Sequence, residues 1–295
     1  MCGIGAFQLK QGDGNPRLLA QHLLRELQSR GSDASGVAWH DDNEPTTFVQ
    51  KHNCAGSHLA KYLDENIGRT AIVHTRYATL GSPKNSNNNH PIDVNGVVGV
   101  HNGHVTNHHE LFQKVRGYKR KGQVDSEAIF AYLRYGTSGR SLADKLSDIE
   151  GGAAIMWLQT NSGNRYLHVA RLTSSPLVYG RTPAGSVILA STEAILRDAV
   201  KSAGMELATV VTLDQGVYLR FQNSELTRTL DIPELRKPKP FTFTSVYTPT
   251  STFRTPDKEL GVGIGGEYRD GRWLTRLDLM MEQWERDERD ARNDQ

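Results

Sequence analysis

The chain contains two cysteines, and one of them, Cys2, becomes the first residue if the initiator methionine is removed. A thiol in that position lies beside its own α-amino group, whose ordinary pKa of about 7.7–8.0 leaves much of it neutral and basic near physiological pH. Four further stretches carry residue types that complement such a nucleophile. "RGSDASG", Arg30 to Gly36, is a helix stop followed by a small-residue loop. "HTRYATLG", His74 to Gly81, delivers Arg76 from an apolar run, and its planar fork can hold a carboxylate in two hydrogen bonds. "HNGHVTN", His101 to Asn107, offers the Asn102 side-chain N–H beside Gly103, which permits close backbone approach. "VDSEAI", Val124 to Ile129, sets Asp125 at the start of an expected helix. Each has an ordinary reading by itself: two turns, a surface ion pair and a helix cap.

Elements able to position these residues are legible around them. "CGIGAFQL", "SGVAWHD", "TTFVQKH", "TAIVHTRYA" and "VVGVHNG" are apolar or β-branched runs bounded by Gly, Asn or Asp, and read as strands. Between the first two, "NPRLLAQHLLRELQSRG" predicts a helix. Asn15 can cap it, Pro16 suits its first turn, Leu19, Leu23 and Leu27 recur every fourth residue, and Gly31 stops it. Further helices are expected near "DSEAIFAYLRYG" and "SLADKLSDIEG". Strand texture returns in "AAIMWLQT", "YLHVARL", "PLVYGR" and "SVILAS", followed by the helix "STEAILRDAVKSAG" and then "VVTLDQGVYLRF". Two clusters of strands separated by helices predict an α+β fold with two packed sheets and helices outside.

Composition narrows the function classes. With 35 basic against 33 acidic residues, bulk charge argues for neither a nucleic-acid nor a membrane partner. No run approaches the roughly 20 apolar residues of a membrane span, and the mean hydropathy is −0.53. No export signal and no cysteine framework are present, so a reducing, cytoplasmic setting is expected, with Cys54 an ordinary free thiol. His104 and His108 are four apart, but His104 falls in the "HNG" turn and no acidic or cysteine ligand completes a set, so no metal is expected. The texture changes near Ile232. Residues 2–231 read as the main domain, 232–267 as a Pro/Thr-rich arm or linker, and 268–295 as an amphipathic helix with a charged tail, built on Trp273, Leu274, Leu277, Met281 and Trp284. The glycine pattern in "ELGVGIGGEYRDG" lacks the strand-turn-helix context of a nucleotide loop.

Taken in order, "MCGI", "RGxDxxG", "HTRYAT.G", "HNG..TN" and "DSE" resemble the class II glutamine amidotransferase domain of the amino-terminal nucleophile hydrolases. Their spacings are like those in the glutaminase halves of glucosamine-6-phosphate synthase and of glutamine phosphoribosylpyrophosphate amidotransferase. "SSPLVYG", "ILASTEA" and "LDQGVY" resemble the family's later core strands, so the likeness covers roughly residues 2 to 220. It implies a four-layer αββα sandwich. It also implies hydrolysis of the glutamine side-chain amide to glutamate and ammonia through a γ-glutamyl thioester on Cys2, without a cofactor. By the same resemblance, the Asn102 side chain and Gly103 N–H would form the oxyanion hole, Arg76 would bind the glutamine α-carboxylate, and Asp125 its α-ammonium group. Tyr77, Thr79 and Gly31 would shape the pocket.

The sequence departs from the family pattern in two ways. Tyr77 stands where the glucosamine-type enzyme has tryptophan, and Leu80 where it has histidine; tyrosine at the first position looks more like the phosphoribosyl type. The second departure is length, because residues 232–295 are too few for a sugar-isomerase, phosphoribosyltransferase or synthetase domain. The leading expectation is therefore a glutaminase that supplies ammonia to a separate acceptor synthase. Competing expectations are a stand-alone amidohydrolase acting on another γ-glutamyl amide, as in ergothioneine-pathway relatives, and a binding protein that keeps the fold without the activity. Nothing in the sequence signals an oligomeric state.

Overall fold

Strand β1 (Gly3–Gln8) is buried along its whole length because its alternate side chains serve two different cores. Ile4 and Ala6 enter one, while Phe7 and the following Leu9 enter another. The computed structural model in which this is seen describes residues 1–232 and Leu235, together with two short strands further along, Gly266–Arg269 and Arg272–Thr275.

Seven antiparallel strands form one sheet. They are β1, β2 (Ala34–His40), β3 (Thr47–His52), β4 (Thr70–Arg76), β9 (Val178–Arg181), β10 (Val187–Ala190) and β11 (Thr209–Thr212), in the order β11-β9-β10-β1-β4-β2-β3. The second sheet contains β5 (Ile92–Val94), β6 (Val97–Val105), β7 (Gly151–Asn161), β8 (Asn164–Arg171), β12 (Val217–Gln222) and β13 (Glu225–Asp231), in the order β13-β12-β8-β7-β6-β5. Helix α1 (Pro16–Leu27) begins as its sequence predicts: Asn15 Oδ1 accepts from the Leu18 N–H at 3.0 Å, and Pro16 occupies the first turn. With α2 (Gly56–Leu59) and α6 (Glu193–Ser202) it covers the seven-stranded sheet, burying Leu19, Leu23, Leu27 and Leu196 against Phe7 and Val73. On the far side, α3 (His108–Gln113), α4 (Ser126–Tyr135) and α5 (Leu142–Ser147) cover the six-stranded sheet, where Ile129 and Phe130 meet Ile155 and Trp157.

Between the sheets lies a third core that includes Ile4, Ile72, Val98, Val100, Met156 and Leu189. Three apolar layers therefore separate four layers of secondary structure, the αββα sandwich. Among the described residues no helix is long and apolar enough to cross a membrane.

Residues Met1–Lys239 form one compact unit and Pro240–Gln295 a second. In the second unit, β14 (Gly266–Arg269) pairs antiparallel with β15 (Arg272–Thr275), Tyr268 opposite Trp273. This corrects the expectation of a helix from residue 268. Pairing between two short runs with β-forming aromatic residues prevails there over the helical spacing of the apolar residues. The remainder of that expected helix, residues 276–295, and nearly all of the expected arm at 232–267 lie outside the described residues.

Candidate active site

Strand register brings the separated motifs to one end of the space between the sheets. Cys2 immediately precedes β1, in which Gly3 pairs with Thr75 and Ile4 with His74 of β4. Ile4 and Ile72 face the inter-sheet core, so the two-residue period directs Cys2 and Arg76 to that same side. From the opposite sheet, Val98 and Val100 of β6 face the core, and the alternation carries Asn102 inward. One residue earlier, His74 Nε2 donates to the His101 carbonyl oxygen at 3.3 Å, tying the two sheets together beside Asn102. "HNGHVTN", whose ordinary reading is a turn, instead continues β6 as far as Val105, with Asn102 opposite Ala154 and Gly103 opposite Ala153.

Cys2 is half-buried, with Sγ 3.7 Å from the Tyr77 carbonyl oxygen, and Arg30 Nε donates to the Cys2 carbonyl at 3.0 Å. Burial pushes its thiol pKa up, the N-terminal charge and Arg76 pull it down, and Asp125 pushes it up again. The resting group is therefore a thiol that needs a base. Arg76 is 3% exposed. Three of its five N–H donors are taken, by Asn89 Oδ1 and by the carbonyls of Leu80 and Gly81.

Gly31 lies against this segment so closely that a Cβ would stand 2.4 Å from the Arg76 carbonyl carbon and the Tyr77 nitrogen. Asp33 completes the clamp: its N–H donates to the Arg76 carbonyl at 3.0 Å, and its Oδ2 accepts from the Ala78 N–H at 2.7 Å. Tyr77 and Thr79 are exposed, and Tyr77 lines a cleft of about 410 Å³ together with Met1, Arg30, Gly31 and Asp33.

Asn102 is fully buried, and neither atom of its amide has a hydrogen-bond partner among the described residues. Beside it, Gly103 has φ +142°, and a Cβ there would lie 1.9 Å from the Gly152 carbonyl oxygen, so only glycine fits. Asp125 precedes α4 but makes no capping bond. Its Oδ2 instead accepts from the Val105 N–H at 2.6 Å, with His104 Nδ1 at 3.6 Å, which holds the carboxylate at the end of β6.

Other contributors were not singled out from the sequence. Asn88 Oδ1 accepts from the Gln123 N–H at 2.7 Å and its Nδ2 donates to the Ser82 carbonyl at 3.0 Å, so one buried side chain joins the loop after β4 to the loop before α4. The asparagine run "NSNNNHP" was the available signal, since such residues replace backbone partners in irregular segments. Glu127, the third residue of "DSE", accepts from Tyr118 Oη and from the Lys121 and Gly122 N–H groups, fixing that second loop. His74 and His90 are buried and stacked with ring centroids 4.2 Å apart; burial lowers His74 to about 3 and His90 well below its usual value. The His108 and His109 rings lie 4.1 Å apart and tilted by 37°, and among the described residues no group of three or more potential ligands is placed to hold a metal.

Residues 74–198 match the family described as the glutamine amidotransferase domain. Over 206 residues the chain is 31% identical to a glutamine–fructose-6-phosphate aminotransferase (isomerizing) of Clostridium acetobutylicum, covering 66% of this chain and 32% of that relative. A protein of the same name from Vibrio vulnificus is 36% identical over 167 residues, 53% of this chain and 27% of the relative. The chain carries a class II glutamine amidotransferase domain. It spans about a third of the length of the curated relatives it matches. Among solved structures, the glutamine phosphoribosylpyrophosphate amidotransferase of B. subtilis aligns with a TM-score of 0.62 over 78% of this chain and 49% of that one, at 19% identity. What the amidotransferase domain shares with that structure is the fold, the αββα sandwich.

Proposed function

We propose that the domain hydrolyses the side-chain amide of glutamine, with Cys2 as nucleophile once Met1 has been removed. The observation that carries this reading is Asn102, a fully buried amide with no hydrogen-bond partner among the described residues, next to a glycine whose φ of +142° excludes other residues. A buried amide left unpaired costs about 1–3 kcal/mol, so its retention is best explained by a partner that arrives with the substrate.

In the proposed reaction the freed α-amine of Cys2 takes the thiol proton and the thiolate attacks the amide carbon of glutamine. The carbonyl π electrons move onto oxygen, and the oxyanion accepts from Asn102 Nδ2 and the Gly103 N–H. Collapse breaks the C–N bond, the ammonium form of the α-amine protonates the departing nitrogen, and ammonia and a γ-glutamyl thioester result. Water, deprotonated by the same amine, attacks the thioester through a second oxyanion and releases glutamate and the Cys2 thiol. Asp125 takes the substrate α-ammonium group, and the Arg76 guanidinium the α-carboxylate. Tyr77, Thr79 and Gly31 border the pocket. The names of the relatives pair glutamine with an acceptor, fructose 6-phosphate; for this chain we assign the ammonia to a separate acceptor synthase.

The test is the intact mass of protein lacking Met1 after exposure to 6-diazo-5-oxo-norleucine. A single adduct on Cys2, suppressed by glutamine and absent from Cys2→Ala, is the expected result. No adduct, or glutamine turnover retained in Cys2→Ala, overturns the assignment. Labelling suppressed better by a larger γ-glutamyl amide than by glutamine would move the substrate to that class.

A further inference from the structure

Behind Asn102 and Gly103, side chains that take no part in the reaction above are joined in a chain. His101 is 2% exposed, with Nδ1 2.8 Å from Ser126 Oγ and Nε2 3.3 Å from the Gly152 carbonyl oxygen. Ser126 Oγ is in turn 3.4 Å from Asp125 Oδ1. Counting protons fixes the directions. A carbonyl oxygen only accepts, so Nε2 must carry the ring proton. Burial lowers the His101 pKa, which favours the neutral ring, and a neutral ring protonated at Nε2 has a bare Nδ1. That nitrogen accepts from the Ser126 hydroxyl.

Ser126 has one hydroxyl proton, and once directed to His101 it is not directed to Asp125. Oδ2 of Asp125 already accepts from the Val105 N–H at 2.6 Å. Among the described residues, the Ser126 hydroxyl is the hydrogen-bond partner within reach of Oδ1, so Oδ1 keeps its lone pairs for an incoming cation. The same imidazole also backs Gly103: Nε2 of His101 lies 3.0 Å, and the Gly152 carbonyl oxygen 1.9 Å, from the Cβ position that Gly103 leaves vacant.

We propose that His101 and Ser126 are positioning residues acting as one unit: the ring holds the Gly152 carbonyl behind Gly103, and draws the Ser126 proton away from Asp125 so that Oδ1 remains open to the substrate α-ammonium group. This rests on the roles assigned above to Asp125, Asn102 and Gly103. It couples the oxyanion end of β6 to the ammonium end of α4 through a single tautomer.

The experiment compares His101→Phe with the double variant His101→Phe/Ser126→Ala. In the single variant the released hydroxyl turns onto Asp125 and competes with the substrate, so KM for glutamine rises about tenfold, the scale of one hydrogen bond to a charged group. Removing the hydroxyl in the double variant returns KM to the parent value, while kcat stays low because the support behind Gly103 is still missing. Glutaramate, which lacks the α-amino group, shows no KM change in either variant. A merely structural role for His101 would not let a second deletion restore KM. No rise in the single variant, or a rise that persists in the double, overturns the proposal. If His101→Phe does not fold, the ¹⁵N shifts of His101 in the parent decide: a neutral Nε2–H tautomer is expected, and an Nδ1–H tautomer or an imidazolium at neutral pH refutes it. Should the parent protein neither turn over glutamine nor take the diazo-ketone label, the functional reading fails first, and the tautomer measurement still decides the proton arrangement.

Discussion

Replacing Asn102 by leucine should separate the stability of the fold from the chemistry of the site. Leucine keeps the branched outline of asparagine and removes two polar atoms that have no partner among the described residues, in a side chain with no exposed surface. An unpaired buried amide costs about 1–3 kcal/mol, and the bulk of two methyl groups returns part of that as crowding, so the net expected gain is about 1 kcal/mol. For a domain of this size that raises the unfolding midpoint by about 2–4 °C. The same substitution deletes one oxyanion donor, and kcat for glutamine should fall about 10²- to 10³-fold. Differential scanning calorimetry and glutamate release, run on the same preparation lacking Met1, measure the two effects. A variant less stable than the parent would mean that the amide is paired at rest, and one within tenfold of parental kcat would mean that the oxyanion is held elsewhere. Either result refutes the reasoning.

Two further outcomes follow from the surroundings of the site. Gly103→Ala places a Cβ 1.9 Å from the Gly152 carbonyl oxygen at a φ of +142°, so β6 and β7 must separate; a loss of about 2–3 kcal/mol and of activity is expected in urea unfolding and turnover. Gly152→Ala, on the facing strand, meets nothing closer than Ser175 Oγ at 3.6 Å and should be tolerated; equal damage from both would contradict the packing account. Acid should also destabilise the domain. Burial lowers His40 to about 4 and His74 and His168 to about 3, against 6.5 for an exposed histidine, so the unfolded chain binds more protons as pH falls below 6.5. The stability held by these neutral rings is fully present above pH 6.5 and lost on descent toward their folded values, by about 2 kcal/mol for each ring at pH 5. The urea midpoint should drop steeply between pH 7.5 and 5, and a flat profile would show that the rings accept protons in place.

Chemistry was more legible in the sequence than local geometry. Short motifs that resemble a known family singled out Cys2, Arg76, Asn102 and Asp125, and strand register brings them to one end of the space between the sheets. The two-sheet arrangement was legible for a related reason: β1, β2 and β4 are buried on both faces, and a strand covered on both sides reads as a continuous apolar run. What Asp125 does locally was not legible. An aspartate before a helix ordinarily caps it, and only the register of β6 shows the Val105 N–H competing for its carboxylate. The roles of Asn88, His101 and Ser126 depend on contacts across 25 to 35 positions in the chain, which no local pattern encodes. In the C-terminal unit a helical spacing misled, because the residues around Tyr268 and Trp273 pair as two antiparallel strands.

The site can be understood as the place where the inter-sheet core stops being apolar. Along β1 the inward positions run Ile4 and Ala6, along β4 Ile72, and along β6 Val98 and Val100; one more period toward the same end reaches Cys2, His74 and Asn102, and a second along β4 reaches Arg76. Polar groups at the end of a core must be satisfied or they weaken it. Most of these are: Arg76 by Asn89 and two carbonyls, His74 Nε2 by the His101 carbonyl, and Asp125 by the Val105 N–H. Asn102 has neither amide atom paired among the described residues, and it sits beside a backbone conformation that admits only glycine. Fold stability alone favours an apolar residue at position 102. A ligand that binds between the sheets would bring an acceptor to that amide, and a tetrahedral oxyanion formed on Cys2 would bring one with a full negative charge.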